Sequence, residues 1–161
     1  MKQRIGAFVY LLVAVCLLVG CNAYPKGQSL TCADLQLTLP GDFINLSAEA
    51  YAQDADFLYG RNTLIFKGMA EKKADFKDMT LEGYTALVLS GNELSCTPKP
   101  FGNGYVFTYE APVSGTNYTY TTATFAGETN FWILQFYCPS ENCQENQAEI
   151  DIILSNIQLN N

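Results

Sequence analysis

The chain contains no histidine, which removes both the commonest general base and the commonest ligand of transition metals. It also lacks a GxSxG motif, a phosphate-cradling glycine loop and a Ser-x-x-Lys pair. Basic residues are scarce, since nine lysines and arginines stand against sixteen aspartates and glutamates. We therefore expect a protein that is not an enzyme, with no cofactor and no metal. So acidic a chain is also a poor partner for the phosphates of nucleic acid.

Long apolar runs are missing after the first twenty residues. Within those first twenty residues, a basic leader precedes an apolar stretch over residues 5–19, which is too short for a comfortable membrane span. The stretch closes with Leu18-Val19-Gly20-Cys21, the pattern of a bacterial lipobox. The sequence thus predicts a lipoprotein signal peptide over residues 1–20, with Cys21 as the residue that receives the lipid (palmitate-type acyl chains). The alternative is an ordinary secretory signal that is cut near Ala23 and discards Cys21.

Removal of the leader leaves a net charge of −9, from seven basic and sixteen acidic residues. Such a surface gains little from anionic lipid head groups, so we expect membrane attachment through the lipid, for which two or three acyl chains suffice. Residues 21–29 form a short polar tether, and residues 30–161 have the size of one domain. The predicted location is the cell membrane, lipid-anchored and facing outside the cytoplasm.

The remaining cysteines predict disulfides. Four are left once the leader and the anchor have taken one each, an even number in an exported chain: Cys32, Cys96, Cys138 and Cys143. Of the three possible pairings we favour Cys138–Cys143, which closes a short loop, together with Cys32–Cys96. A zinc site and a thiol redox pair are disfavoured, because neither a CxxC motif nor a comparable tight pair is present.

Strand patterns dominate the chain. Residues 32–39 alternate, with leucines on one face and Asp34, Gln36 and Thr38 on the other. Gly60-Arg61-Asn62 separates two extended runs and predicts a hairpin. Three further tight turns predict a meander of strands that covers residues 94–101, 105–111, 118–125 and 131–138.

Two stretches have helical spacing. Residues 80–90 place Leu81, Tyr84, Leu87 and Val88 on one face. Residues 143–155 follow Asn142, which with Glu145 suggests a capping box. An apolar stripe runs along this helix and continues just beyond it: Ile150, Ile153, Leu154 and Ile157. The expected fold class is α+β, one antiparallel β-sheet flanked by helices.

Several phrases of the sequence resemble the PsbP-like superfamily. They are LQLTLPGDF over residues 35–43, the helix entry at residues 79–84, and NFWILQFYC leading to EIDIILSNIQL over residues 130–159. This superfamily includes the photosystem II protein PsbP, a Ran-binding nuclear transport factor and bacterial envelope lipoproteins of the DcrB type. The resemblance implies a PsbP-like α/β/α sandwich over most of residues 35–159. It implies no catalytic residues, since these proteins share none.

Aromatic residues on neighbouring strands are the strongest sign of a binding surface. Tyr105 and Tyr109 lie on one predicted strand, and Tyr118 and Tyr120 lie on the next. Exposed and coplanar rings would suit the faces of sugars, as in glycan- or peptidoglycan-binding modules. The alternative is that these rings fill the layers between sheet and helices, because aromatic residues favour strands and bury large areas.

Three functions follow from these observations. The leading hypothesis is a non-catalytic accessory or scaffold protein that binds another protein of the cell envelope. The second is the glycan-binding module with the tyrosine-rich strands. The third is a hydrolase that uses two carboxylates, for which Asp34 and Glu110 would have to face each other in one cleft.

Overall fold

The computed structural model describes residues 26–49, 52 and 54–160. The predicted signal peptide, most of the tether and the lipid-bearing Cys21 lie outside the described residues. A helical turn expected over residues 47–53 falls largely on residues that are not described.

The strands form two antiparallel sheets. The small sheet has the order β1-β2-β10, formed by β1 (Gln28–Cys32), β2 (Leu35–Leu39) and β10 (Gln158–Leu159). The large sheet is formed, from one edge to the other, by β3 (Ile44–Asn45), β4 (Phe57–Arg61), β5 (Leu64–Lys72), β9 (Asn130–Pro139), β8 (Thr116–Ala126), β7 (Gly104–Val113) and β6 (Lys99–Phe101). The helices are α1 (Leu81–Gly91) and α2 (Cys143–Ser155), and short 3-10 helices cover Lys73–Asp75 and Ser140–Asn142.

The core lies between one face of the large sheet and a layer made of α2 and the small sheet. That face contributes Trp132 and Leu134 from β9, and the opposing layer contributes Leu37 from β2 and Ile153 from α2; all four are at most 1% exposed. Side chains alternate along a strand, so Phe131 points to the other face, where α1 lies. The predicted α+β class with helices on both faces is confirmed.

Helix α1 packs on the sheet through Tyr84 and Thr85. The ring of Tyr84 stacks on Phe131 at 4.3 Å, and the hydroxyl of Thr85 lies 2.7 Å from that of Thr124 on β8. The prediction that Leu87 shares the buried face is wrong, because its side chain is 44% exposed. At 3.6 residues per turn, Leu87 lies about 110° from the direction midway between the two packing residues.

Helix α2 begins at Cys143 and ends at Ser155, as predicted, so Ile157, the last residue of the predicted stripe, lies beyond its end. The predicted cap at Asn142 is wrong, because its side chain makes no capping hydrogen bond. The chain enters α2 directly from the preceding 3-10 helix, so Asn142 already has near-helical backbone angles and its carbonyl accepts from Asn146 instead. The predicted disulfide between Cys138 and Cys143 is confirmed and joins β9 to α2.

The second predicted disulfide is not formed, and Cys32 and Cys96 are both free thiols. Cys32 ends β1 and lies near Asp56, whose carboxylate accepts from the backbone of β5. Cys96 lies near Tyr109 on β7. Strands β5 and β7 are three strand spacings apart in the large sheet, a distance of roughly 14 Å. The two cysteines beside these strands are therefore too far apart, because a disulfide needs Cα atoms within about 7 Å.

Candidate functional site

Asp34 lies in the turn between β1 and β2 and is only 7% exposed. Its Oδ2 accepts hydrogen bonds from the backbone N–H groups of Thr129 (2.8 Å) and Asn130 (3.1 Å). Its Oδ1 accepts from Nε1 of Trp132 (2.7 Å) and Nδ2 of Asn130 (3.1 Å). The prediction that Asp34 faces outward with Gln36 is therefore wrong, because it belongs to the turn and joins the small sheet to β9.

The hydrogen bonds keep this carboxylate ionised. Burial acts to raise the pKa of Asp34, but the donors from Thr129, Trp132 and Asn130 outweigh it and lower the pKa to about 2. A carboxylate whose two oxygens are both occupied in this way is a poor proton donor or acceptor. Its role is to hold the two sheets together.

The carboxylate pair required for a hydrolase is not assembled. Glu110 pairs with Thr119, which pairs with Cys138 on β9, whereas Asp34 contacts Trp132 on the same strand. Six residues along a strand span about 20 Å. The hypothesis that Asp34 and Glu110 face each other in one cleft is therefore wrong.

Four tyrosines lie together on the outer face of the large sheet, the face opposite the core. Tyr109 of β7 pairs with Tyr120 of β8, and Tyr120 pairs with Tyr137 of β9. Tyr118 lies two residues before Tyr120 and therefore points to the same side. We call this group, Tyr109, Tyr118, Tyr120 and Tyr137, the tyrosine face. All four rings are half-buried.

The rings of the tyrosine face stack on one another. The centroids of Tyr109 and Tyr120 are 4.9 Å apart with planes 4° from parallel, and those of Tyr120 and Tyr137 are 5.4 Å apart at 26°. These separations are close to the spacing of neighbouring strands, so the rings stand side by side and cover each other's faces. Tyr120 has a ring on either side, and the group does not form the exposed, coplanar platform that sugar stacking requires.

Tyr105 is separate from this group. It lies on the same strand face as Tyr109 but pairs with Thr124, which contacts α1 through Thr85. Of the four tyrosines that the sequence suggested as a binding platform, Tyr109, Tyr118 and Tyr120 thus lie together. Tyr105 lies apart from them, at the end of the strand face nearer to α1.

The tyrosine face borders an open recess of about 510 Å³. Gln135 lies in its floor, and the amide of Gln135 donates to the hydroxyl of Tyr109 (2.9 Å) and to that of Thr122 (3.1 Å). Burial raises the pKa of both the Tyr109 and the Tyr120 hydroxyls, although the bond from Gln135 opposes the rise at Tyr109. The phenols therefore stay protonated at neutral pH. Other residues that line the recess are Asn62, Thr63, Ile65, Lys67, Val113 and Pro139.

A solved structure with the same architecture is the cyanobacterial PsbP protein, CyanoP, from Synechocystis. It aligns with 87% of this chain and 95% of its own, with a TM-score of 0.58 and 9% sequence identity. The fold is PsbP-like. A point mutant of Mog1 is also similar, with a TM-score of 0.53 and 10% identity over 83% of this chain and 96% of Mog1.

A third structure, from Bacteroides thetaiotaomicron, aligns with 86% of this chain at a TM-score of 0.59 and 15% identity. The chain spans about half the length of that protein, 49%. No protein-family model and no curated protein matches the sequence. At such low identities the likeness concerns the PsbP-like fold alone.

The PsbP-like sheet adds residues to the site that the sequence did not single out. Lys67 and Gln135 come from β5 and β9, and they join the tyrosines of β7, β8 and β9 only through strand pairing. The alternation of residues 131–138 signals that Gln135 and Tyr137 share a face, but nothing local signals which strands lie next to them.

Within the part of the chain that the structure describes, no group of three cysteine, aspartate or glutamate side chains is placed to hold a metal ion. Neither of the two helices there is long and apolar enough to cross a membrane.

Proposed function

We propose that this PsbP-like protein is a non-catalytic accessory protein of the bacterial cell envelope that binds another envelope protein through its tyrosine face. In this proposal, Cys21 carries the lipid and holds the domain on the membrane, outside the cytoplasm. The lipobox pattern and the acidic charge of the domain support this arrangement.

The observation that carries the binding role is the tyrosine face itself. It occupies a part of the large sheet where the stacked rings remain half-exposed, whereas Phe131 on the same sheet face is buried beneath α1. Tyrosine is enriched in protein interfaces because it offers a large, rigid and amphipathic contact with only two rotatable bonds. Rings that are already stacked lose little freedom on binding, which lowers the entropic cost of association.

The same geometry disfavours the glycan-binding alternative. A sugar needs the open face of a ring, and both faces of Tyr120 are covered by its neighbours. The edges and hydroxyls that remain accessible suit a mixed apolar and polar protein surface better than a sugar ring. We therefore keep glycan binding as an outcome that the experiment must be able to reveal.

The experiment is photo-crosslinking in cells with a crosslinking amino acid at Val113, which lines the recess and is 47% exposed. The matched control carries it at Ile152, which is 46% exposed on α2 on the other side of the sheet. The proposal expects one recurrent protein neighbour from Val113 and not from Ile152, lost when Cys21→Ser removes the anchor. Equal capture from both positions, or capture of wall glycan alone, would overturn it.

A further inference from the structure

The tyrosine face differs in charge from the rest of this acidic protein. The recess beside it adjoins a second recess of about 320 Å³, which extends towards α1. Lys67 and Gln135 line both recesses. Among the described residues that line them, Lys67 is the one charged side chain and there is no acidic one. Although the chain has sixteen acidic residues, the described lining of these two adjoining recesses thus contains no carboxylate.

Lys67 is half-buried and lacks a direct anionic partner. It forms no ion pair or hydrogen bond within the part of the chain that is described, although the charge of Asp54 acts on it from a distance. Burial lowers its pKa, and Asp54 opposes this change. Lysine is rarely buried unless it is paired, because loss of hydration is costly.

Arg61 is another partly buried cation of this protein, and it forms ion pairs. Its guanidinium pairs with Asp42 at 3.2 Å and with Glu149. The contrast with Lys67 is informative, because among the described residues no carboxylate forms such a direct ion pair with Lys67.

Other polar groups line the recess that contains Lys67. The hydroxyls of Tyr118 and Tyr120 line this recess together with Asn62 and Thr63. A carboxylate has about four lone-pair sites, so a cation and several neutral donors together can satisfy it. Because the two recesses meet at Lys67, a polypeptide that placed a carboxylate there could continue along the sheet in both directions.

We propose that the tyrosine face binds an acidic segment of a protein partner, and that an aspartate or glutamate of this segment pairs with Lys67. The proposal rests on the proposed function and names the chemistry of the partner. The net negative charge of the domain disfavours such a segment elsewhere, so charge complementarity favours this surface.

The test uses the Cys21→Ser protein and two blocked peptides, acetyl-Ala-Glu-Ala-Glu-Ala-amide and the same peptide with glutamine in place of glutamate. Binding is followed by the NMR shifts of the Gln135 and Tyr120 amides. We expect Lys67→Met to weaken binding of the glutamate peptide about tenfold or more, and Lys67→Arg to retain most of it. The matched control Lys99→Met removes an exposed lysine on β6 and should leave binding unchanged.

Salt and a sugar acid complete the design. Added salt should weaken binding of the glutamate peptide to the protein that retains Lys67, and it should have little effect on binding to Lys67→Met. Equal binding of the two peptides, or full binding by Lys67→Met, would overturn the proposal. Binding of trigalacturonate without binding of the glutamate peptide would also overturn it, by assigning the cation to an acidic glycan.

The Val113 crosslink separates this inference from the proposed function. If the crosslinked partner persists in Lys67→Met at undiminished yield, the tyrosine face binds a protein but the acidic pairing is refuted. If no partner is captured at Val113 even with Lys67 intact, the proposed function itself fails.

Discussion

Replacement of Asp34 by asparagine tests how the two sheets are joined. The change keeps the size of the side chain but turns one acceptor into an amide that donates. In the structure, Oδ2 faces the N–H groups of Thr129 and Asn130, and Oδ1 faces those of Trp132 and the Asn130 side chain. Whichever way the new amide turns, its NH₂ group opposes two donors that are largely buried.

The magnitude follows from two estimates of the same loss. The pKa of Asp34 falls from 3.8 to about 2, a difference that corresponds to about 2.4 kcal/mol of folding free energy. A buried donor left without an acceptor costs about 1–3 kcal/mol. The estimates overlap, so we expect Asp34→Asn to lower the free energy of unfolding by about 2–3 kcal/mol at pH 7.

Urea unfolding is the assay, and the fluorescence of Trp132 is its natural signal because this is the one tryptophan of the chain. Its indole N–H donates directly to Asp34, so the spectrum also reports the local change. The control is Asp75→Asn, the same chemical change at an exposed carboxylate, which should stay within about 0.5 kcal/mol of the wild type.

The pH dependence gives the result that would refute this reasoning. The folded pKa lies below the unfolded one, so the stabilisation is present above pH ~4 and is lost as pH falls towards about 2. The difference between the wild type and Asp34→Asn should shrink over this window. Equal stability at pH 7, or a difference that persists at full size at pH 2, would show that the ionised carboxylate does not join the sheets.

Two further changes test packing and the disulfide. Gly68→Ala would place its methyl group within the ring of Phe57, which is 3% exposed and cannot easily move, so we expect a loss of about 2–3 kcal/mol in urea unfolding. Gly91→Ala is the matched control, with no atom near the added methyl at the end of α1, and should gain up to about 0.5 kcal/mol. Cys138→Ser opens the short loop to Cys143 and should cost about 2 kcal/mol by loop entropy; reduction should then leave that variant's stability unchanged.

Elements whose residues contact near neighbours in the chain were predicted well. The buried face of α2 follows from its apolar stripe, and the meander of β7, β8 and β9 follows from tight turns between alternating runs. The errors involve tertiary contacts. Leu87 is exposed because Thr85 bonds to β8, and the Cys32–Cys96 pairing fails because strand order separates the two residues.

The candidate site shows the same division. The sequence singled out Tyr109 and Tyr120 because both lie on aromatic strands, yet whether their rings were open or stacked depended on register. Nothing in the sequence assigned a role to Lys67, since an isolated lysine in a strand is usually a solvated side chain. It becomes informative only once β5 and β9 place it beside Gln135.

By itself, the sequence determined the acidic charge, the α+β class and most element positions, because charge adds over residues and periodicity is local. The lipid anchor at Cys21 stays a prediction from the same local signal. Only the tertiary structure decided that Asp34 is buried, that the tyrosines stack, and that Lys67 lies beside them with no direct ion pair to any described residue. The physical reason is that strand pairing makes neighbours of residues far apart in the chain, and no local pattern encodes which strands will pair.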